Sequence, residues 1–149
     1  MRIYLAASIT GMYSDDVIKY FEDTRDRLKG MGYEVLHSMT GKDYLRTETK
    51  LKAGGYSFPP STNHAIIERD RWMVTTADIV YCNLTMAKQV SIGCCMELAW
   101  AHQLGKHTVL AMQEGNANQH AFVLETADVH FQGWYEAEEY LEKLVGGKV

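Results

Sequence analysis

The sequence predicts an α/β fold, a single domain built on a five-stranded parallel sheet with helices on both faces. Two observations carry this. Short apolar runs ending in polar or glycine-containing loops alternate along the chain with stretches of helical apolar spacing, and that alternation makes parallel sheets covered on both sides. The 149 residues, 46% apolar and 23% charged, suit one domain with a full core. Right-handed crossovers then give a doubly wound, flavodoxin- or Rossmann-like sheet in the order 2-1-3-4-5.

The elements follow in order. Arg2–Ala7 is a short apolar run that gives way to Ser8-Ile9-Thr10-Gly11, which reads as a buried strand entering a loop. Ser14-Asp15-Asp16 offers an N-cap and an acidic first turn to a helix running to about Met31, with Val17, Ile18, Phe21, Leu28 and Met31 at helical spacing. Gly32 stops it, and Tyr33–Leu36 is the second strand. From Ser38 to about Asn63 the periodicity dissolves into glycines, tyrosines and Pro59-Pro60, and so long a connection reads as a lid-like insertion over residues 38–63. A helix from about His64 to Thr76 precedes the strand Asp78–Asn83, and the helix carrying Glu97 follows. Then come a strand at His107–Met112, a short helix at His120–Thr126, a weak strand at Val129–Gln132 and a terminal helix at Tyr135–Val145, with a frayed tail from Gly146.

Composition narrows the function. A net charge of −4 without a basic run disfavours nucleic acid polymers as partners. No apolar run approaches the ~20 residues of a membrane span, and no signal peptide is visible. Cys82, Cys94 and Cys95 follow no disulfide pattern and read as thiols of a reducing compartment, so the expected location is cytoplasmic. No zinc-type spacing, GxGxxG, GxxxxGK[ST] or nucleophile elbow is present, and no metal or organic cofactor is expected.

Ligands of such sheets bind beyond the carboxyl ends of the strands, between strands one and three. There Ser8, Ile9 and Gly11 meet Ser91 and Gly93, where a Ser-x-Gly loop opens a helix and offers N–H groups to an anion. Glu97 lies six residues after Ser91, about a turn and a half inside the helix by its ~3.6-residue period. A carboxylate beside an anion-binding loop suggests chemistry on a phosphorylated or hydroxyl-rich small molecule, against the plainer reading of an N-cap and a surface glutamate. Tyr4 competes with a core tyrosine, Asp70 with a solvated partner of its arginine neighbours, and His37 caps the second strand or lines the cleft. Tyr44, Tyr56, Phe58 and Pro59-Pro60 give the insertion flat surfaces to stack on a base, unless they only pin it to the body.

Four segments carry a family resemblance: Ile3–Gly11, Glu68–Trp72 with Ala77–Val80, Ser91–Gly93 through Glu97–Ala99, and Gly105–Val109. In order and spacing the chain resembles the nucleoside 2-deoxyribosyltransferase superfamily, including its deoxynucleoside 5′-monophosphate N-glycosidase branch. The resemblance implies that Glu97 is the nucleophile that attacks the anomeric carbon, and that Tyr4 and Asp70 hold it and assist proton transfer. Six residues before the nucleophile, the transferases resemble Asp-x-Gly and the nucleotide hydrolases Ser-x-Gly. Ser91 places this chain with the latter, since a serine hydroxyl attracts a phosphate that an aspartate would repel. The expected substrate is therefore a small-molecule nucleotide. Base exchange on a free nucleoside is the alternative, and a non-catalytic nucleotide sensor a further one. The resemblance also implies that a neighbouring subunit completes the site from the segment after strand four, where Asn118 and His120 stand, and hence a homodimer or dimer-based oligomer. The chain departs from the family pattern in the insertion and in Asn116–His120.

Overall fold

The computed structural model describes residues 1–56 and 58–147, so the end of the tail lies outside the described residues. Strands β1 (Arg2–Ala7), β2 (Glu34–His37), β3 (Ile79–Asn83), β4 (His107–Ala111) and β5 (Val129–Phe131) alternate with helices α1 (Ser14–Met31), α2 (Asn63–Thr76), α3 (Ile92–Gln103), α4 (Ala121–Glu125) and α5 (Trp134–Gly146). All neighbouring strands pair in parallel, in the order β2-β1-β3-β4-β5. The expected α/β architecture is the one observed.

Strand pleat divides the interior in two. Successive side chains of β1 point to opposite faces, so Ile3 and Leu5 join Phe21 and Leu28 of α1 and Leu141 of α5. Tyr4 and Ala6 join Met73 and Val74 of α2 and Cys94, Leu98 and Ala101 of α3. The large apolar side chains among these contribute roughly 1.5–3 kcal/mol each on full burial. Among the described residues no helix is long and apolar enough to cross a membrane.

Two local expectations need correction. Ser14 does not cap α1: Tyr13 holds the N-cap position without a side-chain bond, and the buried Ser14 hydroxyl donates to the Glu48 carbonyl. Nor is the insertion a structureless loop. It contains 3-10 turns at Asp43–Thr47 and Pro59–Ser61, and Leu45 and Leu51 are buried in the α1-side core. An antiparallel stitch ties it to the segment leaving β1. Gly11 N–H donates to Leu51 O (2.9 Å), Leu51 N–H to Met12 O (3.1 Å) and Ser14 N–H to Thr49 O (3.1 Å). Gly11 has φ +77°, a left-handed conformation that glycine adopts without a Cβ penalty, so the stitch depends on a glycine there. Tyr44 packs against Tyr56 and Phe58 with ring centroids 6.0 and 5.7 Å apart, so the insertion's aromatics contact one another.

Candidate active site

Beyond the carboxyl ends of β1 and β3 lies a cavity of about 480 Å³, within the usual range for small-molecule sites. Ala7, Ile9 and Thr10 form one wall, Ser91, Gly93 and Glu97 the opposite one, and Ser38, Lys42 and Tyr56 come from the insertion. An adjoining cavity of about 180 Å³ shares Asp70, Gly93 and Glu97 and extends to Met96 and Trp100.

Helices and strands deliver the polar groups by their periodicity. The pleat of β1 turns Tyr4 toward α2 and α3, where it is fully buried and its hydroxyl donates to Glu97 Oε1 at 2.6 Å. Glu97 belongs to the same inward stripe of α3 as Cys94, Leu98 and Ala101, which is why a carboxylate on this otherwise apolar face is buried. Asp70 sits likewise on the buried stripe of α2 with Met73 and Val74. Lys42, its side chain only 4% exposed, reaches down from the insertion and places Nζ 3.4 Å from Asp70 Oδ2.

Burial dominates the electrostatics. Glu97 is pushed up from an ordinary 4.5 to about 8, first by desolvation and then by the charge of Asp70, while the Tyr4 hydrogen bond and Lys42 oppose the rise. Asp70 is also raised by burial, against the pull of Lys42 and Arg69. Lys42 is lowered by burial, with Asp70 opposing. For both members of the Lys42–Asp70 pair desolvation outweighs mutual attraction, as expected of a long ion pair out of water. Tyr4, raised well above the usual phenol range by burial and by Glu97, remains a donor. Burial thus disfavours the charged form of each member of the cluster.

The structure brings Ile9, Ser91, Gly93, Asp70 and Glu97 together on the cavity, with Tyr4 behind Glu97. Ser8 is buried at the end of β1 and is not among the described residues of the wall, and Gly11 shapes the stitch instead. The expectation that His37 lines this cleft is overturned. In the register His37 pairs with Leu5 rather than Tyr4, so it faces α1 and lines a separate cavity of about 220 Å³ with Phe21, Arg25 and Arg46. There burial, then Arg25 and Lys42, depress it to about 4, leaving it neutral.

Asn118 is also differently employed. Only 2% exposed, it accepts from Ser91 N–H at 2.7 Å and donates to Asn116 Oδ1 at 3.0 Å, so its amide braces the Ser91 loop of its own chain and is not extended toward a neighbour. His120 is exposed and caps α4, its Nδ1 accepting from Phe122 N–H at 3.2 Å. Sequence reasoning missed Lys42 and Ser38, which stand in the aperiodic insertion where no spacing marks them. The buried, unpartnered Ser38 Oγ and Asp70 Oδ1 are hydrogen-bonding capacity left for something in the cavity. Among the described residues no group of three or more His, Cys, Asp or Glu is placed to hold a metal ion.

The family model for nucleoside 2-deoxyribosyltransferase matches residues 3–134. The chain belongs to the nucleoside 2-deoxyribosyltransferase family. Solved structures agree in fold. A 2-deoxyribosyltransferase from the psychrotolerant bacterium Bacillus psychrosaccharolyticus is 18% identical with a TM-score of 0.63, over 94% of this chain and 92% of that one. A CMP N-glycosidase from Clostridium botulinum is 20% identical with a TM-score of 0.60, over 97% of each chain. A conserved protein from Enterococcus faecalis V583 is 12% identical with a TM-score of 0.62, over 100% of this chain and 99% of that one. No curated protein matches. As a member of the nucleoside 2-deoxyribosyltransferase family, the chain is an enzyme of the N-glycosidic bond.

Proposed function

We propose that the protein hydrolyses the N-glycosidic bond of 2′-deoxynucleoside 5′-monophosphates through a glycosyl ester on Glu97. The observation that carries this is the Glu97 carboxyl group, buried on the cavity and held by Tyr4 at 2.6 Å. A fixed carboxylate suits attack on C1′ through an oxocarbenium-like transition state, followed by water attack on the ester. The phosphate reading rests on Ser91 and Gly93, which open α3 on the cavity wall where N–H groups and the helix dipole favour an anion. The fold's likeness to a CMP N-glycosidase supports a nucleotide as substrate.

Base release from deoxynucleoside 5′-monophosphates, followed by chromatography, tests the reading. Glu97→Gln is expected to lose at least about a hundredfold in turnover, the scale on which a covalent step contributes. A Gln variant with near-normal release refutes the nucleophile. Monophosphates are expected to react much faster than nucleosides, with Ser91→Ala erasing much of the difference. Efficient base exchange on unphosphorylated nucleosides makes the transferase reading correct, and binding without release makes the protein a sensor.

The same reading includes a dimer-based assembly. Val90 and Ile92 line the cavity yet are 53% and 66% exposed, and Phe122 beside His120 is 79% exposed. A self-complementary two-fold contact would cover such residues at the cavity mouth. Sedimentation of the protein is expected to give a dimer or a multiple of it, and mixing inactive Glu97→Gln with His120→Ala is expected to restore part of the activity. A fully active monomer refutes the assembly.

A further inference from the structure

Lys42 carries the insertion to the reacting carboxylates. Lys42 is buried almost completely, and its Nζ contacts Asp70 Oδ2 at 3.4 Å. The other oxygen of that carboxylate, Oδ1, is buried without a partner, and Asp70 borders both cavities that reach Glu97. One oxygen of Asp70 is thus held by a cation and the other is buried without a partner, on a residue that borders the site.

We infer that Lys42 is a positioning residue for proton transfer to the departing base, acting through Asp70. The inference rests on the glycosidic reading above. In the first step the C1′–O bond to Glu97 forms and the C1′–N bond breaks, its electron pair passing to the base nitrogen. The reacting form has Glu97 ionised and the proton that the two carboxyl groups share on Asp70; that proton moves from Oδ1 to the base, so the base leaves neutral and Asp70 is left anionic. A buried carboxylic acid resists ending as an anion, and the ammonium at Oδ2 offsets that resistance. The Lys42 interaction strengthens as charge develops on Asp70, so it favours the transition state over the bound substrate.

The surroundings of Lys42 sharpen the effect. Asp70 and Arg69 face it from α2, Glu97 from α3 and His37 from β2. Glu22 and Arg25 from α1 and Asp43 and Arg46 of its own turn line the neighbouring cavity. Arg46 is paired with Glu22 and Arg25 with Asp26, and His37 is neutral. Arg69 donates to the Pro60 carbonyl, which leaves Lys42 as the ammonium in hydrogen-bond contact with Asp70.

The test uses a leaving group that needs no proton. A 7-methylguanine base carries a positive charge in its nucleotide and departs neutral, whereas guanine must be protonated as it leaves. Lys42→Met is expected to slow release of guanine from deoxyguanosine monophosphate by about tenfold or more, within the range of acid catalysis. It is expected to leave release of 7-methylguanine within about threefold. The alkaline limb of the kcat/KM profile, set by loss of the proton that the two carboxyl groups share, is expected to move to higher pH. Lys42→Arg is expected to restore part of the guanine rate, and Lys42→Gln substitutes for the Met variant should that one fail to fold. Equal losses on both leaving groups, or an unmoved pH profile in a folded variant, overturn the inference. If nucleosides prove to be the substrates, the same comparison with deoxyguanosine and its 7-methyl derivative applies, so failure of the phosphate reading is seen separately.

Discussion

Glu97 has Tyr4, Asp70 and Lys42 as its polar neighbours, and each moves its proton affinity in a known direction. Removing the Tyr4 hydroxyl removes a donor to the ionised carboxylate, so Tyr4→Phe is expected to raise the Glu97 pKa further. It should slow turnover by roughly ten- to a hundredfold, as the loss of a charge-assisted bond of about 1.5–3 kcal/mol implies. A pH titration of kcat/KM checks both effects, and a faster variant with an unmoved profile contradicts them. At this scale the sequence was legible where spacing marks a residue, as for Glu97 six positions after Ser91 in α3. It was illegible where a side chain's direction depends on register. His37 falls on the far face because it pairs with Leu5, and no local pattern states that pairing. Lys42 was invisible for a related reason, since its partner Asp70 is 28 residues away.

Among the elements, α3 depends on a brace. The Asn118 amide accepts from Ser91 N–H at 2.7 Å and donates to the Asn116 side chain and, at 3.4 Å, to the Gln89 carbonyl, fixing the loop that opens the helix. Asn118→Ala leaves that N–H without its acceptor, which costs about 1–3 kcal/mol. The expected outcome is a lower Tm together with a KM for monophosphate that rises more than kcat falls, measured by calorimetry and steady-state kinetics. An unchanged KM removes Ser91 from phosphate binding. The strand and helix order of the molecule was readable because glycines and polar loops punctuate it, with boundaries off by a residue or so, as at β2. The insertion was not readable as an ordered element, because its support comes from Met12, Ser14 and α1 rather than from its own periodicity.

For the whole molecule, the carboxylates that serve the site weaken the fold. With Glu97 raised to about 8 beside Asp70, the folded carboxyl pair keeps a proton that an unfolded chain releases near 4.5. The folded protein thus holds more protons between those values, and stability declines as pH rises through that window. Glu97→Gln is expected to flatten the decline and to raise Tm at pH 8.5 by several degrees. A tenfold difference in proton affinity between folded and unfolded chains is worth about 1.4 kcal/mol, and each kcal/mol about 2–4 °C. A thermal scan of both proteins at pH 5 and pH 8.5 decides it; parallel declines would place the destabilising charge elsewhere.

The antiparallel stitch has a kinetic consequence as well. The Gly11, Leu51 and Ser14 amides bond across the junction between β1 and the insertion, so none can open to solvent without disturbing the others. Their deuterium uptake is expected to share one rate, slower than that of a hinged flap. The segment that carries Lys42 is then expected to loosen only together with the start of the first helix, and not as a separate flap.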